Sequence, residues 1–271
     1  MSNLVQRTIT GFFFVAVLIF CVAYSGYSLT TLFFAISVLS LYEFYGLVKN
    51  GGYRINLFMG LGIGAVVFIS FILRTYNQID GSKLMLLFPV LLLLFLLELF
   101  RKQEKPFENI AMTILGIVYA VLPFVFFVSL GFIQGTDYNF ELPLGFLLLL
   151  WSNDTFAYLF GRQFGKHRLF ERISPKKSWE GFFGGMLSAV IISQIIAHYF
   201  TSLDAFNWAV VSLIIVCFGT LGDLVESMFK RSLDVKDSGS ILPGHGGLLD
   251  RFDGLLLAAP FVYAYLIFLG V

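Results

Sequence analysis

The chain has 271 residues, 58% of them hydrophobic and only 13% charged, against about 25% charged in an ordinary soluble domain. With a mean hydropathy of +0.86, it has too few polar side chains to cover a water-exposed globule, so much of its surface must face lipid. The net charge of +1 excludes nothing by itself, because in such a chain the division of charge between two faces matters more than the sum.

A helix crossing the roughly 30 Å hydrocarbon layer needs about 20 mostly apolar residues, and on that measure the chain offers about nine spans. In order they are Ile9–Tyr24, Leu29–Val48, Leu57–Leu73, Leu84–Phe100 and Ile110–Phe132, then Leu142–Phe160, Phe182–Phe200, Trp208–Val225 and Leu255–Leu269. Backbone polar groups in lipid must be satisfied within the segment, and these runs are too long for barrel strands. The expected fold class is therefore all-α, a polytopic integral membrane protein.

The first span, with Arg7 before it and Ala23 and Ser25 near its end, also has the outline of a cleaved signal peptide. Its length and the spans that follow favour a membrane helix. Of the 18 Lys and Arg residues, all but Arg74 and Lys83 fall on the N-terminal side of this arrangement. By the positive-inside rule that side, with the N-terminus, is cytoplasmic. Cys21 and Cys217 lie inside spans at opposite ends of the chain and read as small apolar residues, not as a disulfide or a metal pair.

No internal repeat is evident, yet two parts differ. Residues 1–135 hold nearly featureless spans with short loops, a structural, lipid-facing or dimer-forming part. Their intramembrane acids, Glu43 and Glu98, read as interfacial carboxylates. Residues 136–271 place polar and ionisable groups inside apolar runs. A charge at the bilayer centre costs at least about 2.5–3.5 kcal/mol, so such residues are usually functional or paired. The chemistry is expected here.

The eighth span ends Gly222-Asp223-Leu224-Val225-Glu226-Ser227-Met228-Phe229-Lys230-Arg231. On a helix, Asp223, Glu226, Ser227 and Lys230 share one face. That stripe is either an internal salt-bridge ladder or part of a site, and alone it does not decide. Downstream, Gly244, Gly246 and Gly247 permit the close backbone approach of a phosphate-cradling loop, and Asp250 and Asp253 follow at i and i+3. Hard oxygen ligands beside a Gly-rich loop and basic residues suit Mg²⁺ bound with a polyphosphate. A flexible loop with an acidic helix start would look similar, but the combination with Asp223 and Lys230 is more specific.

Upstream, Asn153 and Asp154 interrupt the sixth span, and Ser174-Pro175-Lys176-Lys177-Ser178-Trp179-Glu180-Gly181 places Ser178 as a helix N-cap with two lysines beside it. A positive-inside anchor explains the lysines but not Asp154. His245 is a phosphate donor, a turn residue or a general base, the last being least needed because a phosphate nucleophile is already ionised near neutral pH.

These residues carry a resemblance. Ser227-x-Phe229-Lys230-Arg231, four residues, Lys236-Asp237-x-Gly239, then Leu242-Pro243-x-His245-Gly246-Gly247-x-Leu249-Asp250-Arg251-Phe252-Asp253 resembles the signature of the phosphatidate cytidylyltransferase (CDP-diacylglycerol synthase) family without a departure. The segments around Asn153-Asp154 and Ser174–Gly181 are similar to it as well. The likeness is close over the last 120 or so residues, and upstream it is mainly one of hydropathy.

The resemblance implies a Mg²⁺-dependent reaction of CTP with phosphatidic acid in the bilayer, releasing pyrophosphate. It also implies a centre that takes a second cation such as K⁺, a homodimer, and a multi-pass place in the inner cell membrane with the site facing the cytoplasm. Carried over by position, Asp223 and Asp250 are metal ligands with Asp253 beside them. Ser227 and Lys230 meet substrate phosphates, with Lys177 and Arg251 as helpers. Gly246 and Gly247 supply backbone N–H donors, and Ser178, His245 and Asp154 complete the substrate contacts. A CTP-dependent lipid kinase is the nearest enzymatic rival; a transporter would need broken helices in two related halves. No nucleic-acid role is suggested.

Overall fold

Each apolar run becomes helix because lipid offers its backbone no other partner. The computed structural model describes residues 3–235, 238–239 and 246–271. Helices α1 (Asn3–Tyr24) and α2 (Gly26–Asn50) are separated by Ser25 alone. Ser25 Oγ accepts from the Ser28 N–H and Ser28 Oγ accepts from the Ser25 N–H, both at 3.1 Å, a reciprocal cap that ends one helix and starts the next. Helix α3 (Leu57–Thr75) starts on the Asn56 side chain. A 3-10 stretch, Gly81–Leu86, leads into α4 (Leu87–Arg101).

The fifth expected span is two helices, α5 (Pro106–Ala120) and α6 (Leu122–Leu130), divided at Val121. Pro123 in the first turn of α6 has no N–H to continue the ladder, so the backbone breaks just before it. Helix α7 (Glu141–Phe164) is followed by a small antiparallel hairpin, β1 (Arg168–Phe170) with β2 (Ser174–Ser178). Among the described residues, the helices are accompanied by this hairpin as the one two-stranded sheet, and Lys176 and Lys177 sit on strand β2, not in an open loop. Then come α8 (Trp179–Tyr199), α9 (Ala205–Ser232) and α10 (Leu249–Leu269).

Among the described residues, 7 helical segments are long and apolar enough to cross a bilayer, fewer than the expected nine. The apolar part of α1 is shorter, and α7 is diluted by Trp151-Ser152-Asn153-Asp154-Thr155. The 28 residues of α9 extend about 42 Å at 1.5 Å per residue, roughly two turns more than the hydrocarbon layer requires. Those extra turns carry the Asp223–Lys230 stripe.

Close approach between the later helices depends on small residues, as is usual between membrane helices. A side chain at Gly185 of α8 would meet Asn153 Oδ1 at 2.6 Å, and one at Gly222 of α9 would run into the Asp253 carbonyl of α10. Between the two parts lies an aromatic cluster: Phe33 of α2 is 4.6 Å from Phe127 of α6 and 5.9 Å from Phe252 of α10, centroid to centroid. Phe127 in turn meets Phe146 of α7 at 5.4 Å. Residues 1–135 are therefore packed directly behind the helices that carry the polar groups.

The acids of the first part are buried within the protein: Glu43 and Glu98 are 5% and 6% exposed. Glu98 is neutralised locally, by Arg101 at 2.6 Å and the Asn109 amide at 3.0 Å. Glu43 reaches further, into the site. Cys21 and Cys217 are both free thiols.

Candidate active site

The last turns of α9 bring four polar side chains to one face. Ser227 Oγ donates to Asp223 Oδ1 at 3.3 Å, and Lys230 Nζ lies 2.6 Å from Glu226 Oε2. So far this is the internal ladder. Lys230 also crosses to α10, where it meets Asp250 Oδ1 at 2.6 Å. The other Asp250 oxygen accepts the Ser238 N–H at 3.1 Å and the Gly247 N–H at 3.0 Å. Lys230, Glu226 and Asp250 are 13%, 1% and 11% exposed, so this triad is shielded from water. Gly246 holds φ at +83°, a left-handed turn that folds the backbone back toward the Asp250 carboxylate and strains any residue with a Cβ.

A second cluster lies open beside the first. A cavity of about 470 Å³ is bounded by α7, α8, α9 and the hairpin, with Asn153, Asp154, Arg162, Arg168, Lys177 and Asp223 among its walls. Lys177 Nζ reaches across it to Asp223 Oδ2 at 2.6 Å, the two side chains being 27% and 37% exposed. Asp154 interacts electrostatically with Lys177 and Asp223, as does Asp253 with the same pair and with Asp154. Three carboxylates therefore surround one ammonium, with two arginines on the wall. This is enough volume and charge for a nucleotide's phosphates.

Local sequence builds the cavity wall. Ser178 Oγ accepts the Gly181 N–H at 3.1 Å and caps α8, the N-cap expected from Ser-Trp-Glu-Gly. The Glu180 carboxylate accepts the Lys166 N–H at 3.1 Å and pairs with His167 Nδ1 at 2.6 Å, tying the start of the hairpin to the first turn of α8. The hairpin's second strand is held so that Lys177 points into the cavity, while Ser178, 4% exposed, has its hydroxyl committed to the cap.

The structure thus distributes the expected site residues over two adjoining clusters. Asp154, Asp223, Lys177 and Ser178 line the cavity, with Asp253 in electrostatic range of them; Lys230, Asp250 and Gly247 gather in the buried triad and its loop; Ser227 stands between them on α9. Asp223 and Asp250, expected together, each hold a different lysine. Arg251 is exposed in the first turn of α10. His245 lies outside the described residues.

Four groups lie outside the site residues carried over from the resemblance. Glu226 completes the triad. Asn153 places a buried Oδ1 without a hydrogen-bond partner against α8. Tyr119 of α5 brings a buried, unpartnered hydroxyl into electrostatic range of Glu226, Asp253 and Asp223. Glu43 of α2 accepts the Leu249 N–H at 2.9 Å. Its one legible signal was an acid inside an apolar span, which by default marks function.

Among the described residues, no group of three or more His, Cys, Asp or Glu stands at metal-ligand spacing. That does not disfavour Mg²⁺, which commonly binds through one or two carboxylates plus substrate phosphates and water. Asp223, with Asp154 and Asp253 nearby, offers hard oxygens of that kind at a cavity sized for a phosphate ligand.

Residues 5–269 match the profile of the cytidylyltransferase family. The chain belongs to that family. A Bacillus subtilis protein named phosphatidate cytidylyltransferase is 33% identical over 270 residues, covering 97% of both chains. Proteins of the same name from Staphylococcus epidermidis and Staphylococcus aureus are 41% and 42% identical over 168 residues, 61% of this chain and 62% of theirs.

Proposed function

We propose that the protein is a phosphatidate cytidylyltransferase: it transfers CMP from CTP to phosphatidic acid, giving CDP-diacylglycerol and pyrophosphate. The observation that carries this reading is the cavity itself. It holds Lys177, Arg162, Arg168 and Asp223 at the end of the helices, yet Tyr158, 63% exposed, lies in its lining, and Phe183, 54% exposed, adjoins it on α8. A water-soluble triphosphate and a membrane lipid can meet there without the lipid leaving the bilayer. By chain position, every Lys and Arg except Arg74 and Lys83 falls on the site's side, which supports a site facing the cytoplasm from the inner cell membrane.

In this mechanism an oxygen of the phosphatidate phosphate attacks the α-phosphorus of CTP in line, and the bond to the β-phosphate oxygen breaks as pyrophosphate leaves. The attacking phosphate is already ionised, so no general base is required. Lys177 exchanges Asp223 for phosphate oxygens, and Arg162 and Arg168 take up charge on the leaving pyrophosphate. Lys230 stays buried between Glu226 and Asp250 and fixes the angle between α9 and α10. Catalysis is then mainly positioning and electrostatics. Asp223, with Asp253 and Asp154 nearby, would hold Mg²⁺, whose charge would offset that of the crowded phosphate oxygens.

Purified protein in detergent, incubated with radiolabelled CTP, phosphatidic acid and Mg²⁺, should place label in a lipid and release pyrophosphate, with EDTA blocking both. Label in free CDP would identify a CTP-dependent lipid kinase instead. A folded protein that leaves CTP untouched would overturn the reading.

A further inference from the structure

We propose that Glu43, a residue of α2 far from the signature in sequence, is a positioning residue that holds the Asp250 loop in its working shape. This rests on the function proposed above. Glu43 is 5% exposed, and its Oε2 accepts the Leu249 N–H at 2.9 Å. Leu249 is the first residue of α10, where N–H groups have no partner within the helix and need an acceptor from elsewhere.

The loop closes on the same carboxylate from its other side. A Cβ at Gly239 would meet Glu43 Oε1 at 2.5 Å and one at Gly247 would meet Oε2 at 2.8 Å. Both glycines therefore present bare backbone to this one side chain. Glu43 and Asp250 divide the work. Asp250 takes the N–H groups of Ser238 and Gly247, and Glu43 takes that of Leu249. Three backbone donors of one short segment are fixed by two acids from opposite sides, which leaves the Asp250 carboxylate no freedom but to face Lys230.

A buried acid used only as glue between α2 and α10 would be a poor choice, since an apolar pair would pack there without the cost of burying polar groups. Glu43 Oε1 has no hydrogen-bond partner, so the side chain is not there to saturate its own bonding. The arrangement makes sense if it aims the loop.

The test compares wild-type protein with E43A, E43D and E43Q, measuring kcat, the KM for CTP, thermal unfolding and amide hydrogen exchange along residues 246–260. A loop misplaced by about 1 Å costs on the order of 100-fold in rate. E43A and E43D, the latter one methylene too short, should lose about that much kcat, with KM for CTP held within about threefold. Exchange should quicken at Gly247 and Leu249 but not across α9. E43Q, whose amide oxygen still accepts the Leu249 N–H, should keep kcat within about tenfold. The proposal is overturned if E43D keeps wild-type kcat, or if exchange rises throughout α9 and α10 in step with the lost rate. It is overturned too if E43Q falls as far as E43A, since the charge and not the acceptor would then matter. Wild-type protein that makes no CDP-lipid at all would instead sink the underlying reading of the site.

Discussion

Two lysine–carboxylate clusters stand side by side at the end of α9, and they differ in exposure to water. Lys177 and Asp223 meet across an open cavity at 27% and 37% exposure, whereas Lys230 meets Glu226 and Asp250 at 13%, 1% and 11%. A half-exposed ion pair is worth at most about 1 kcal/mol, because water competes for both ends. It is therefore a pair that a phosphate can displace. A shielded pair is costly to break, since removing one partner strands the other's charge. The same residue types thus make a water-exposed, displaceable contact in one place and a shielded strut in the other. Burial, and not the chemistry of lysine, assigns the two roles.

The difference can be broken experimentally, beginning with its most sensitive member. Lys230→Met leaves Glu226 and Asp250 facing each other without a cation. It should lower stability by about 3–5 kcal/mol, seen as a large drop in unfolding temperature in detergent, and turnover should vanish with it. Lys177→Met removes only the open pair. Its unfolding temperature should stay near that of the parent, as a loss of about 1 kcal/mol or less dictates, while kcat falls on the order of 100-fold or more from the missing phosphate contact. Equal destabilisation by the two substitutions would erase the distinction. The smallest effect belongs to Ser178→Ala, which deletes the α8 cap next to Lys177 at a cost of about 1 kcal/mol. Its catalytic loss should be well below that of Lys177→Met; a loss as large would mean that the Ser178 hydroxyl meets substrate directly and is not confined to capping.

Much of this was visible in the bare sequence, and the reasons for what was not are physical. Apolar runs in lipid have no alternative to helix, so the segments around α2, α3, α4, α8 and α9 could be read from hydropathy alone. The i, i+3, i+4, i+7 spacing of Asp223, Glu226, Ser227 and Lys230 put them on one face, and the Ser178 cap followed from local bonding rules. Count was harder: the apolar part of α1 is short, and α7 gives up hydropathy to Asn153 and Asp154. The hairpin escaped notice because Arg168–Phe170 and Ser174–Ser178 are too short to show alternation. Partner choice escaped for another reason. Whether Asp250 meets Asp223 or Lys230 is decided by how α9 crosses α10, at Gly222 against the Asp253 carbonyl, and a crossing is not written in either helix. The partner of Glu43 was illegible because hydropathy shows only that an acid sits in a span, not which distant backbone it meets.

The bond from Glu43 to Leu249 joins positions 206 residues apart. Contacts of such separation close late, since the intervening chain must already be arranged before they repay the entropy of bringing their ends together. During synthesis, α2 enters the bilayer long before α10 leaves the ribosome, and in that interval its acid has no helix end to cap. The Asp250 turn at the start of α10 is accordingly among the last parts of the molecule to be completed, and a half-made chain already in the membrane holds the α9 stripe without its partner from α10.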